Sequence, residues 1–158
     1  MSEPAPRDRV IAALDAAALD YRLITHGPVR SLAEAATARG VEPADVVKTL
    51  VIRRGEDDYV FVLVPGDRTL SWPKVREHLG VSRASMPDAA DAQRATGFAR
   101  GTITPFGSTT PGPVLADTRL HGRTVTLGAG EHGVAVAVDA DEALTALDAQ
   151  SGDLTDPE

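Results

Sequence analysis

Residues 49–64, Thr-Leu-Val-Ile-Arg-Arg-Gly-Glu-Asp-Asp-Tyr-Val-Phe-Val-Leu-Val, decide the fold. Two apolar runs, 49–53 and 59–64, flank the polar turn Arg54-Gly55-Glu56-Asp57-Asp58, which is the pattern of a β-hairpin. The second run carries no polar residue to alternate with its apolar ones, so its strand is expected to be buried on both faces. The acidic tip Glu56-Asp57-Asp58 reads as solvated rather than catalytic.

Upstream of the hairpin, Val10, Ile11, Leu14, Ala18 and Leu19 recur at helical spacing and predict a first helix over 7–19. A strand over 21–25 follows. Ser31 and Glu34 form an S-x-x-E capping box, and Gly40 stops the helix it opens. Pro43 starts a short helical segment that ends at Val47. Downstream, helices are expected over 71–79 and 88–96, then short strands over 114–116, 124–127 and 134–138. Asp139 and Glu142 can cap a last helix running to about Ala149. A hairpin mid-chain and two adjacent late strands argue against a purely parallel, doubly wound sheet. The reading is α/β: one domain over residues 1–150, a mixed sheet surrounded by helices. Residues 151–158 are polar and expected to form a flexible tail.

A chain of 158 residues suffices for one domain with a full core. It contains no cysteine, which excludes disulfides and thiolate chemistry. The polar N-terminal stretch 1–9 lacks the apolar core of a signal peptide, and no run has the length of a membrane span. A cytoplasmic protein with no membrane partner is expected. The net charge of −7 is unevenly placed. Residues 139–158 carry seven acidic side chains and no basic ones, which leaves 16 of the 23 acidic residues against all 16 basic ones in residues 1–138. A balanced body neither argues for an RNA partner nor forbids one.

Lysine is scarce. Only Lys48 and Lys74 are present beside 14 arginines. Where arginine supplies nearly every positive charge, a retained lysine points to a site that needs a compact, three-donor ammonium. Lys74 lies on a polar helical stretch, whereas Lys48 is expected at the junction of the short helical segment and the hairpin. The segment 97–113 is dense in glycine, proline and hydroxyl side chains, with Phe98, Ile103 and Phe106 as packing anchors. Its glycines can bring backbone N–H groups up to an anion or oxyanion. Gly128 to Gly133 spells G-x-G-x-x-G, but a β-branched alternating run follows it instead of a helix. The dinucleotide reading therefore fails, and the motif becomes a turn between strands that presents His132. His26 ends a strand beside Gly27 and can also reach a cleft, while His78 and His121 read as solvated. No zinc spacing, serine elbow or phosphate-loop signature is present.

These pieces resemble the YbaK/ProX family of aminoacyl-tRNA deacylases, relatives of the editing domain inserted in bacterial prolyl-tRNA synthetase. The resemblance runs from about His26 to Leu147. It rests on Val47-Lys48-Thr49-Leu50, on Gln93 to Phe98 leading into Gly101-Thr102-Ile103-Thr104-Pro105-Phe106-Gly107, and on the turn Gly128 to Gly133, with Ser31 to Ala36 similar to the early helix start. It implies hydrolysis of the ester joining a wrong amino acid to the terminal adenosine of tRNA. It implies that Lys48 lies at that adenosine, that the Gly101 amide helps hold the scissile carbonyl, and that His132 is the late-turn histidine of some members, the three being the expected catalytic residues. Others have a basic pair where this chain has Glu131-His132. His26, Thr49, Thr102, Thr104, Pro105, Phe106, Gly107, Gly128 and Gly130 are then expected to bind substrate. The partner is the acceptor end of a charged tRNA. Whether a synthetase delivers it stays open, as does the amino acid. Backbone donors and an ammonium stabilise the oxyanion of ester hydrolysis, so water can attack without a metal or cofactor. The alternatives are a non-catalytic module for the tRNA end or a nucleotide, and an unrelated phosphate-handling enzyme.

Overall fold

The hairpin forms as expected, and two layers of structure are built on its faces. The computed structural model describes residues 4–158, so residues 1–3 of the polar N-terminal stretch lie outside it. The chain opens with α1 (Pro6–Ala16), β1 (Tyr21–Thr25) and α2 (Leu32–Arg39), followed by a single 3-10 turn at Pro43–Asp45. The hairpin strands are β2 (Val47–Gly55) and β3 (Asp58–Pro65), after which come β4 (Arg68–Leu70), α3 (Trp72–Leu79) and α4 (Ala89–Thr96). The last third holds β5 (Val114–Asp117), β6 (Thr124–Gly128), β7 (Val134–Asp139), α5 (Ala140–Ala146), β8 (Gln150–Gly152) and β9 (Thr155–Pro157). Among the described residues no helix is long and apolar enough to cross a membrane.

The mixed sheet has the order β2-β3-β5-β8. β2 pairs antiparallel with β3, and β3 and β5 continue in parallel toward β8. A second, antiparallel sheet has the order β1-β7-β6, and β4 with β9 makes a small ribbon. The mixed sheet is therefore one of three. β3 is covered on both faces. Phe61 and Leu63 enter a core with Val10 and Leu14 of α1 and Val136 of β7. Val60, Val62 and Val64 point the other way, into a core with Val75 and Leu154.

The helix starts follow local chemistry. Ser31, Ser71, Asp88 and Asp139 each cap their helix by accepting the N–H three residues on. Gly40, Gly80 and Gly97 end helices in the left-handed conformation.

The tail is a correction. Residues 150–157 form β8 and β9, with Leu154 and Thr155 fully buried. The buried Asp117 carboxylate accepts from the Leu154 N–H at 3.1 Å and from the Thr155 hydroxyl at 2.8 Å. Lys74, read from the sequence only as part of a polar helical stretch, donates to the Thr155 carbonyl at 2.8 Å and pairs with Asp153 and Asp156. A polar sequence can thus be ordered by a buried carboxylate and a nearby ammonium, neither of which hydrophobic patterning detects. The last helix is accordingly shorter than expected.

Candidate active site

Lys48 lies inside β2, opposite Val64, and not at a junction before the strand. β2 is the outer strand of the mixed sheet, and its free edge is bridged at Val46 to Thr126 and at Arg53 to Ser85. Between the bridges that edge borders a cleft of about 1060 Å³. Arg53 turns both its N–H and its carbonyl outward to Ser85, at 2.7 and 2.9 Å. Strand alternation then points the main-chain groups of Val51 and Thr49 into the cleft as well. These are neutral donors and acceptors in a concave, protected place.

The cleft brings together five of the expected residues: Lys48, Thr49, Gly101, Gly128 and His132. Gly101 has φ of +86°, and a Cβ built on it would stand 3.5 Å from Cε1 of His132. The imidazole thus stands beside Gly101. Among the described residues, the Gly101 N–H enters no hydrogen bond. The Lys48 ammonium donates to the Arg68 carbonyl and stands 3.6 Å from a Glu158 carboxylate oxygen, so the C-terminal ribbon reaches the site.

The other expected residues stand elsewhere. Phe106 belongs to the core, and Thr104 is fully buried, accepting the Phe106 N–H at 3.3 Å. Thr102 folds back to the Ala99 carbonyl at 2.7 Å and accepts the Gly130 N–H on its own carbonyl at 3.0 Å. Gly107 and Gly130 serve packing: a Cβ on either would come within 2.7 to 2.8 Å of the α1 backbone, at Arg9 and Pro6. Pro105 lies in the same stretch and does not line the cleft. Arg9 secures this segment from behind, donating to the carbonyls of Gly97 and Gly107 and placing its guanidinium 4.8 Å from the Phe98 ring centroid. The glycine-rich segment is thus a rigid shelf fixed to α1, with Gly101 on its cleft side. His26 does not line the cleft. Its N–H bonds the Gly133 carbonyl at 2.8 Å, so it braces the turn that carries His132.

Arg39 is a cleft residue that the sequence reading missed. In the last turn of a helix before Gly40, an arginine reads as an ordinary complement to the helix dipole. Its placement in the cleft wall goes with a distant partner on β6, Thr126, to whose Oγ1 it donates at 3.0 Å. Arg30 and Arg100 also line the cleft.

Comparisons with known proteins bear on the family and the fold. The family model described as aminoacyl-tRNA editing domain matches residues 26–146. The multifunctional Ser/Thr-tRNA deacylase ProXp-y of Escherichia coli (strain K12) is 28% identical over 118 residues, covering 73% of this chain and 71% of that one. The proline–tRNA ligase of Thermosipho melanesiensis is 37% identical over 87 residues, which are 54% of this chain but 15% of the ligase, so the likeness covers only a small part of that enzyme. Among solved structures, a candidate trans-editing enzyme for prolyl tRNA synthetase superposes with a TM-score of 0.87 at 29% identity, covering 98% of this chain and 99% of that one.

Proposed function

Because the chain belongs to the aminoacyl-tRNA editing domain family, we propose that it hydrolyses, in trans, the ester joining a mischarged amino acid to the terminal adenosine of tRNA. The observation that carries this reading is the meeting of Lys48, the Gly101 amide and His132 in one cleft. The scissile carbonyl lies at Gly101, whose N–H accepts no other duty and is free to donate to the developing oxyanion. The Lys48 ammonium supplies the charge that holds the terminal nucleotide. The substrate's α-ammonium needs an acceptor in a cleft rich in cations, and the outward carbonyls of Thr49 and Val51 are suited to it. Water attacks the carbonyl carbon and its proton passes, by way of the neighbouring ribose hydroxyl of the substrate, to the departing ribose oxygen as the acyl–oxygen bond breaks, which frees the amino acid and the tRNA without a protein nucleophile. His132, beside Gly101, walls the amino-acid end and limits the side chain that fits.

Purified protein offered tRNAs charged with alanine, cysteine, serine, threonine and proline tests this directly. The expected result is faster loss of one or more of these esters than in buffer, with the correctly matched pair spared. Binding of charged tRNA without any turnover would favour a non-catalytic module for the tRNA end instead. If hydrolysis appears only after a synthetase is added, that synthetase is the partner that delivers the tRNA.

A further inference from the structure

Arg39 ends α2 with its side chain half-buried in the cleft wall. Its Nη1 donates to Thr126 Oγ1 at 3.0 Å, and its Nε is buried without a partner. Burial holds its pKa below the ordinary arginine value. Among the described residues no carboxylate lies within ion-pair distance of it. Other arginines of this chain are better provided: Arg123 meets Asp45 at 2.8 Å, and Arg119 meets Asp117 and Asp153. A partly dehydrated cation without a counter-ion is unfavourable unless a ligand completes it. A purely structural role does not demand a charge here, since a neutral donor would serve Thr126 equally well.

The rest of the cleft repeats this imbalance. Among the described residues Arg30, Arg39, Lys48 and Arg100 line it, against the carboxylate of Asp88 in its wall and that of Glu158, 3.6 Å from Lys48. The Asp88 carboxylate is occupied, accepting the Asp91 N–H at 2.8 Å as the cap of α4, and Glu158 meets Lys48 and not Arg39. In a chain with net charge −7, this cleft is cationic. It is built for an anion.

We propose that Arg39 holds a phosphodiester of the tRNA acceptor strand and so sets the direction in which that strand enters the cleft. The substrate's identity rests on the function proposed above. An aminoacyl ester carries a positive α-ammonium at its reacting end, which a guanidinium repels. Its only anions are phosphodiesters. Arg39 therefore takes the strand, and the ester goes to the shelf where Gly101 and His132 meet. The planar fork suits two phosphate oxygens at once, which an ammonium does not reproduce. Arg39 is a positioning residue and touches none of the reacting atoms.

The test uses a probe that cannot be turned over: cytidylyl-3′,5′-adenosine, which has one phosphodiester and no ester, compared with adenosine by calorimetry. Wild-type protein is expected to favour the dinucleotide, and Arg39→Gln should lose a preference on the order of tenfold. Arg39→Gln should bind adenosine as wild type does, and Arg39→Lys should keep part of the preference. The slope of log affinity against log salt should fall by about 0.7 in Arg39→Gln, as one lost phosphate contact requires. Equal dinucleotide binding by wild type and a folded Arg39→Gln overturns the proposal. So does a wild-type protein that does not distinguish the dinucleotide from adenosine. Should Arg39→Gln fail to fold, full dinucleotide preference and an unchanged salt slope in Arg39→Ala or Arg39→Met would overturn it equally. Phosphate-dependent binding by Arg39 in a protein that hydrolyses no ester would support this proposal while removing the function proposed above.

Discussion

The Lys48 ammonium stands 3.6 Å from the Glu158 carboxylate and at the same time donates to the carbonyl of Arg68, the residue that begins β4. The site's lysine is therefore held by the ribbon that β4 forms with β9. An anionic substrate must compete with Glu158 for it. Glu158→Gln is expected to lower KM for charged tRNA while leaving kcat nearly unchanged. Because the Glu158 carboxylate is exposed and the Lys48 side chain partly so, melting temperature should hardly move. A raised KM in steady-state deacylation would show that the carboxylate orients Lys48 for substrate.

Gly101→Ala should reduce both rate and stability. The methyl group would enter the space in front of the His132 ring, and φ of +86° is unfavourable for alanine. Strain of this kind costs about 1–3 kcal/mol, and blocking an oxyanion donor costs on the order of 10²-fold in rate. Thermal melting and single-turnover hydrolysis on the same variant separate the two losses. A fall in melting temperature with full activity would remove Gly101 from the chemistry.

Acid should loosen the C-terminal ribbon. Burial pushes the Asp117 carboxyl up, but the N–H groups of Arg119 and Leu154, the Thr155 hydroxyl and the Arg119 side chain together hold it below its ordinary value of 3.8. Asp153 is likewise held down, by Arg119 and Lys74. Carboxylates depressed in the folded state stabilise it above their ordinary values, and that contribution is lost as pH falls through the lower folded values. Stability should thus be flat near neutrality and decline below about pH 4. Asp117→Asn should flatten this decline and lower the melting temperature at pH 7. Lys74→Ala should raise hydrogen exchange in 153–157, and unchanged exchange there would contradict the role given to Lys74.

Short acceptor-end substrates should be cleaved nearly as well as whole tRNA. The charge-balanced body offers few phosphate contacts, so binding should depend weakly on salt. Steep salt dependence with an inactive minihelix would reveal a further tRNA surface or a delivering partner. Adding a synthetase distinguishes these outcomes.

What could be read in the sequence follows from which signals are local. The hairpin, the capped helix starts and the double burial of β3 are written in turn residues, caps and unbroken apolar runs, all of which act over a few positions. Lys48 and His132 stood out because a rare lysine and a glycine-rich turn are local too, while Gly101 was set apart from the other glycines of its loop only by the family resemblance. The roles of Thr104, Phe106, Gly107 and Gly130 are not local. Those of Phe106, Gly107 and Gly130 depend on α1, about a hundred residues away in the chain or more, packing behind the loop, and that of Thr104 on its burial in the same stretch, so the glycine content alone does not tell the cleft side from the α1 side. Arg39 and the ordered 150–157 segment were hidden for the same reason. Each owes its place to a distant partner, Thr126 in one case and Asp117 in the other.

The central claim is that Lys48 works at the reacting end of a charged tRNA, and single-turnover hydrolysis of mischarged tRNA by wild type, Lys48→Ala and Lys48→Arg measures it most directly. Lys48→Ala should lose on the order of 10²-fold or more in rate, and Lys48→Arg should remain poor because a planar fork does not replace a compact ammonium. Both variants should melt close to wild type, since the Lys48 side chain is partly exposed and outside the core. Wild-type rates in Lys48→Ala, from a folded protein on a substrate that the wild type hydrolyses, would contradict the account.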